Sequence, residues 1–308
     1  MVWQKINIQK YVAEVKSNLD IDVSDDIIIK DLLLTLILAE FEKEPVFKKL
    51  IFKGGTLLSR NYLNYHRFSE DLDFVYADSN TLRTFSRNDC ERKIKIFIDV
   101  FVPKLKRAAD ELGLDFSANR SDKKYCTILS GRVVYIFRLY YETNHCVKIE
   151  VNFIEKVFFA PKKISVQCLT DFFDSKELSF TLGLNILNFR TLSYSLDEVI
   201  LEKYRAVLTR PSLMDRDLFD LFLIKNSLNV DINKVVDKIR ASELIKKRLS
   251  KLISEKLSLL EKNEYLSDEK IEDLAITKYD SKSFEEFKRK IRPLLIKICS
   301  TYLQEQGQ

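Results

Sequence analysis

The 308-residue chain has few of the residues that build metal cages or disulfide frameworks. It contains only two histidines, His66 and His145, and its five cysteines include no Cys-x-x-Cys pair. These absences argue against a zinc cage, a haem site and a disulfide-stapled secreted domain. We expect the cysteines to be reduced thiols in an intracellular protein.

Long hydrophobic runs are also missing. The most apolar segment, Leu32–Ala39, is too short to cross a bilayer, and the N-terminal residues lack the apolar stretch of a signal peptide. We therefore expect a soluble, cytoplasmic protein without a membrane partner.

Glycine is scarce, with six residues in the whole chain, so the adjacent pair Gly54-Gly55 is informative. The apolar run Leu50–Phe52 before the pair is typical of a strand, and Leu57–Leu63 after it has helical spacing. The order predicted here is strand, glycine turn, helix.

Charge and periodicity divide the chain in two. The net charge is +5, and residues 203–308 carry all of it. We predict an α+β fold, with a mixed sheet flanked by helices in domain 1–194 and an all-helical bundle in domain 195–308. Strands are predicted at 71–76 and as a hairpin at 133–141 and 146–153. Helices are predicted at 10–19, 27–41, 91–112, 214–226, 231–240, 242–262, 267–276 and 283–304, with one more beginning at the Ser195 capping box.

The residues with chemical potential lie in the segment Lys53–Phe74. Exposed backbone amides at a glycine turn can bind phosphate oxygens, and Thr56 adds a hydroxyl. On a strand, Asp71 and Asp73 share one face, which presents two oxygen ligands to Mg²⁺. Glu150 is the only acid on the polar face of the second hairpin strand, and is the candidate for a third metal ligand or a general base.

Each motif alone has a simpler interpretation. A Gly-Gly pair is usually a turn, and Asp-x-Asp is usually a solvated strand edge. Their order and spacing, with Ser69 two residues before Asp71, favour phosphate chemistry. His66 is expected at the surface, whereas Tyr62, Tyr65 and Phe68 are expected in the core, with stacking on a base as the alternative.

The segments Lys53–Leu57 and Arg67–Phe74 resemble the signature of the AbiEii/AbiGii-type nucleotidyltransferase toxins, a branch of the DNA polymerase β-like superfamily. Glu202–Ala206 and Arg216–Asp220 are similar to the helical motif of that family. The resemblance runs from about residue 29 to 224. It implies a nucleotidyltransferase-like sheet and transfer of a nucleotide from an NTP.

The resemblance also implies roles for individual residues. Asp71 and Asp73 bind magnesium, and Lys203 binds phosphate as a further catalytic residue. Glu150, as third ligand of two ions or as base, rests mainly on its place on the polar strand face and not on the resemblance. The remaining nucleotide-binding positions that it implies are Lys53, Gly54, Gly55, Thr56, Ser69, Asp217 and Asp220.

The partners implied by the resemblance are an NTP, the 3′ end of tRNA as acceptor and a neighbouring-gene antitoxin that relieves growth arrest. Basic clusters at Lys246–Arg248 with Lys251 and at Lys288–Lys290 with Arg292 are candidates for RNA contact, or are simply solvated helix faces. A protein or small-molecule acceptor, and a non-catalytic nucleotide- or RNA-binding regulator, remain open alternatives.

Overall fold

The computed structural model describes residues 7–21, 23–172, 189–210, 215–242, 246–263, 276 and 278–305. The chain divides into two compact units, Met1–Tyr194 and Ser195–Gln308. Apart from residue 276, the helix predicted at 267–276 lies outside the described residues. All five cysteines are free thiols.

The first unit begins with two helices, α1 (Ile8–Leu19) and α2 (Asp25–Lys43). Every residue of α2 from Asp31 to Leu38 is buried, so this helix is buried on all sides and forms part of the core. This accounts for the apolar run in the sequence. No described helix is both long enough and apolar enough to span a membrane.

The described part of the first unit contains a seven-stranded sheet in the order β3-β4-β5-β2-β1-β7-β6. β1 pairs antiparallel with β2 and parallel with β7, while β2 pairs parallel with β5. The mixed sheet, with helices beside it and a helical unit after it, confirms the predicted α+β class. The strands are β1 (Leu50–Lys53), β2 (Asp71–Tyr76), β3 (Cys126–Leu129), β4 (Val134–Tyr140), β5 (Cys146–Asn152), β6 (Lys162–Ser165) and β7 (Arg190–Ser193).

One face of the sheet packs on aromatic side chains. The long helix α5 (Arg87–Leu112) follows the short helices α3 (Gly54–Leu57) and α4 (Ser79–Leu82). Its Phe101 ring lies 5.3 Å from Phe137 of β4. Strand alternation places Leu72, Ile149 and their neighbours on this buried side, and therefore turns Asp71 and Glu150 to the opposite face.

The second unit is helical, as predicted. Ser195 caps its first helix, because its hydroxyl accepts a hydrogen bond from the Glu198 amide at 3.4 Å. Lys238 and Glu198, both fully buried, form an ion pair at 2.8 Å. The described helices are α6 (Leu196–Thr209), α7 (Asp215–Leu223), α8 (Ile232–Arg240), α9 (Lys246–Glu261) and α10 (Ser281–Gln304).

Candidate active site

The glycine turn connects β1 directly to α3. Gly54 has a φ of +83°, and a Cβ placed there would lie 2.1 Å from Oδ2 of Asp73. A side chain at this position is therefore excluded by backbone strain and by contact with a carboxylate. A Cβ on Gly55 would lie 2.9 Å from Nη2 of Arg67 and 3.2 Å from Oγ of Ser69. The turn is thus packed between a carboxylate and a guanidinium group.

The carboxylates lie on adjacent strands. Asp73 of β2 is in register with Lys53 of β1 on one side and with Glu150 of β5 on the other. Asp71 and Asp73 are half-buried on the same face of β2, as the sequence pattern indicates, and Glu150 is half-buried on that face of β5. The sheet thus brings three acids to one region beside the glycine turn.

The donor chemistry of this region suits a hard cation. Carboxylate oxygens are the preferred protein ligands of Mg²⁺, which commonly takes one or two carboxylates together with phosphate oxygens of its substrate. Among the described residues, no three Asp, Glu, His or Cys side chains are gathered closely enough to hold a metal by themselves. Two aspartates completed by a triphosphate fit this arrangement better than an all-protein cage.

Lys53 has a buried partner that sequence reasoning missed. Its Nζ lies 2.6 Å from Oε2 of Glu155, and both side chains are about 6% exposed. Glu155 also accepts a hydrogen bond of 2.8 Å from the Tyr194 hydroxyl. The Tyr194 amide in turn donates to the carbonyl of Phe52. Lys53 therefore fixes the end of β1 against the segment after β5 and the end of β7.

Thr56 holds the start of β2. Its buried hydroxyl donates to the carbonyl of Asp71 at 2.5 Å and lies 2.9 Å from Oγ of Ser69. Arg67, 4% exposed, donates from Nη1 to the Phe68 carbonyl at 2.8 Å. These contacts fix the glycine turn relative to the aspartate strand.

The helical residues selected by the sequence come together in the second unit. Nζ of Lys203 lies 2.9 Å from Oδ1 of Asp217 and 2.6 Å from Oδ2 of Asp220. Arg210 pairs with the other oxygen of Asp217 at 2.5 Å. Lys203, Asp217 and Asp220 are all at least nine-tenths buried, so this is a buried charge network and not a set of solvated surface residues.

Comparison with known families gives a match over residues 36–299 to the nucleotidyl transferase AbiEii toxin of type IV toxin–antitoxin systems. The chain belongs to this family. It is a nucleotidyltransferase toxin of the type IV class. Among solved structures, the nucleotidyltransferase toxin MenT4 from Mycobacterium tuberculosis matches 94% of this chain and 98% of its own, with 14% identity and a TM-score of 0.45. Comparison with curated proteins gives no match.

The basic clusters of this AbiEii nucleotidyltransferase are partly used inside the second unit. Lys288 pairs with Glu285 at 2.7 Å and with Asp215 at 3.5 Å. Arg292 donates to the carbonyls of Leu260 and Glu261. The side chains of Lys246 and Lys247 lie outside the described residues. These contacts leave fewer cations of the C-terminal helices for a polyanion than the sequence suggested.

Two expectations about aromatic and histidine residues had different outcomes. Tyr65 and Phe68 are buried, which confirms that they belong to the core, whereas Tyr62 is only half-buried and its hydroxyl donates to the carbonyl of Tyr194. The surface position expected for His66 is wrong, because the side chain is only 2% exposed. Its loop is held inward by the hydrogen bond from the Ser59 hydroxyl to the carbonyl of Arg67.

The toxin also has two cations that the sequence motifs did not single out. Lys148 of β5 lies in register with Asp71, and Arg138 of β4 lies in register with Lys148. The sequence signal that could have identified Lys148 was strand alternation, because Lys148 is two residues from Glu150 and therefore lies on the same polar face. For Glu155, the partner of Lys53, the sequence offered no signal.

Proposed function

We propose that this toxin transfers a nucleoside monophosphate from an NTP to the hydroxyl at the 3′ end of tRNA, in a Mg²⁺-dependent reaction in the cytoplasm. A cognate antitoxin relieves the resulting growth arrest. The observation that supports this most directly is the position of Asp73, which contacts Gly54 and lies in register with Glu150. One site therefore combines a phosphate-binding turn with carboxylates.

In this proposal the backbone amides at Gly54 and Gly55 bind the triphosphate, because only residues without side chains allow such a close approach. Asp71 and Asp73 would hold two magnesium ions, which when bound neutralise charge on the phosphates. Thr56, Ser69 and Lys53 keep the turn and the aspartate strand in place through the contacts described above.

The acceptor hydroxyl attacks the α-phosphate in line, the bond from that phosphorus to the bridging oxygen breaks, and pyrophosphate leaves. Glu150 accepts the proton of the attacking hydroxyl or assists in holding the metal. We propose that the buried charge network of Lys203, Asp217 and Asp220 contacts the nucleotide, with Lys203 stabilising the leaving phosphates.

The test incubates purified protein with Mg²⁺, each α-labelled NTP in turn and total cellular RNA, and resolves the products on a denaturing gel. We expect label in the tRNA band with wild type and none with Asp71→Asn/Asp73→Asn. A matched control, Asp99→Asn/Asp110→Asn, removes two exposed acids of α5 and retains labelling.

Three results contradict parts of the proposal. Label found only on protein overturns the RNA acceptor, and labelling by Asp71→Asn/Asp73→Asn overturns the assigned site. No label with any NTP overturns transfer to RNA altogether. In cells, growth arrest that persists in the double variant would separate toxicity from this chemistry.

A further inference from the structure

The open face of the sheet continues beyond the carboxylates as a row of charged side chains. Asp71, Lys148 and Arg138 are successive register partners on β2, β5 and β4. Register partners project to the same side, and neighbouring strands are about 4.8 Å apart. Two cations therefore follow the first metal-binding candidate at regular intervals across the sheet.

These cations lie on the side of β2 away from the glycine turn. The strand order β4-β5-β2-β1 puts the turn, which follows β1, on one side of the aspartates, and places Lys148 and Arg138 on the other. A triphosphate on the turn leaves this second side to the other reactant. The row is thus suited to an acceptor and not to the NTP.

Both cations have N–H donors that are available to a ligand. Lys148 is exposed and has no ion pair within the part of the chain that the structure describes. Arg138 is half-buried and uses Nη1 to donate to Oγ1 of Thr127 at 2.8 Å. A guanidinium group has five N–H donors, so this single bond orients Arg138 without exhausting it.

Next to the row lies a pair of aromatic side chains, Tyr125 and Tyr140, which form the Tyr125–Tyr140 corner. Tyr140 lies two residues beyond Arg138 on the same face of β4, and its ring centroid is 5.9 Å from that of Tyr125. Nζ of Lys124 lies 4.6 Å and 4.9 Å from the two centroids. Lys124 is already paired with Asp115 at 2.8 Å, and the Tyr125 hydroxyl donates to the same carboxylate, so this corner contributes aromatic rings rather than an unpaired cation. Cationic side chains next to aromatic rings, as Lys148 and Arg138 are here, are the usual composition of surfaces that bind single-stranded nucleic acids.

We propose that Lys148 and Arg138 bind the phosphodiester backbone of the acceptor strand next to its reacting 3′ hydroxyl, with the strand continuing towards the Tyr125–Tyr140 corner. This inference rests on the proposed function, since it assumes an RNA acceptor. It assigns that acceptor to the sheet of the first unit and not to the basic C-terminal helices.

The test compares Lys148→Gln with a charge-matched control, Lys95→Gln. Lys95 is also exposed and without an ion pair among the described residues. It lines a separate basic cavity of about 430 Å³ with Arg92, Arg120 and Arg132, beside the turn that precedes β4. Both variants lose one surface charge from the same unit, but only one loses it from the row.

With a tRNA transcript as acceptor, we expect Lys148→Gln to raise KM for tRNA on the order of tenfold. KM for the NTP and kcat at saturating tRNA stay at wild-type values. Binding of fluorescent tRNA is titrated with salt in the absence of NTP. The slope of the logarithm of the binding constant against the logarithm of the salt concentration should fall in magnitude by about 0.7 for each phosphate contact removed. Adding Arg138→Gln should lower the magnitude of the salt slope a second time, and Lys148→Arg should restore it. Lys95→Gln should leave both KM for tRNA and the salt slope unchanged.

An unchanged KM for tRNA in Lys148→Gln overturns the inference while wild-type labelling of tRNA leaves the proposed function intact. An equal loss in Lys95→Gln also overturns it, because the effect would then reflect net charge alone. A raised KM for the NTP reassigns Lys148 to the nucleotide. If wild type itself labels no RNA, the proposed function fails and the acceptor role of the row fails with it.

Discussion

Replacing Gly54 with alanine should abolish most of the transfer activity while the protein stays folded. A residue with a Cβ at a φ of +83° costs about 1–2 kcal/mol. The new Cβ would lie 2.1 Å from Oδ2 of Asp73, where an ordinary contact needs at least 3.4 Å. The carboxylate must therefore move by more than 1 Å, and a displacement of 1 Å at a reacting centre costs about 100-fold in rate.

Gly131 provides the matched control, because it has a φ of +67° but its Cβ would meet nothing closer than Nη2 of Arg87 at 4.0 Å. Gly131→Ala should carry the same backbone strain and keep wild-type transfer. Both variants are compared by urea unfolding and by initial rates of nucleotide incorporation at saturating NTP. Retention of wild-type activity by Gly54→Ala, or an equal loss in Gly131→Ala, would refute the reasoning.

Two further perturbations test buried and exposed ion pairs. Lys53→Met should lower the free energy of unfolding by about 3–5 kcal/mol, because it removes the cation facing buried Glu155. The double variant Lys53→Met/Glu155→Gln should recover part of this loss. Equal stability of the single and double variants in urea would contradict this expectation. The hydrogen bond to Asp26 raises the pKa of His145 in the folded protein. This pair therefore stabilises the fold fully below about pH 6.5, the pKa of an unfolded histidine. Its contribution is lost as the pH rises through the higher folded-state pKa. Urea midpoints measured between pH 5.5 and 8.5 should therefore fall less with rising pH in His145→Gln than in wild type, and parallel curves would count against the pair.

The elements of the fold were predictable where local physics decides them. The Ser195 cap, the strand before Gly54 and the hairpin around 142–145 follow from side-chain hydrogen bonding, glycine conformation and strand alternation. Helix α5 runs unbroken through Pro103. Gly113 ends it in the left-handed conformation, which a residue without a Cβ adopts without strain.

What the sequence could not provide was the pairing of distant residues. Strand parity selected Glu150, but only the parallel register of β2 and β5 places it beside Asp73. The Lys53–Glu155 ion pair depends on where the chain returns after β5, which no local pattern encodes. The burial of His66 likewise results from tertiary hydrogen bonds of its loop.

The strand order has a consequence for the folding of the toxin. β1 and β2 are close in sequence and can pair early, but β5 must join β2 after the β3–β4–β5 meander has been synthesised. Contacts between residues so distant in the chain form slowly, because loop closure comes first. Asp73 and Glu150 therefore become neighbours late, and a nascent chain ending before β5 would lack the carboxylate to which the proposed function assigns the proton of the attacking hydroxyl.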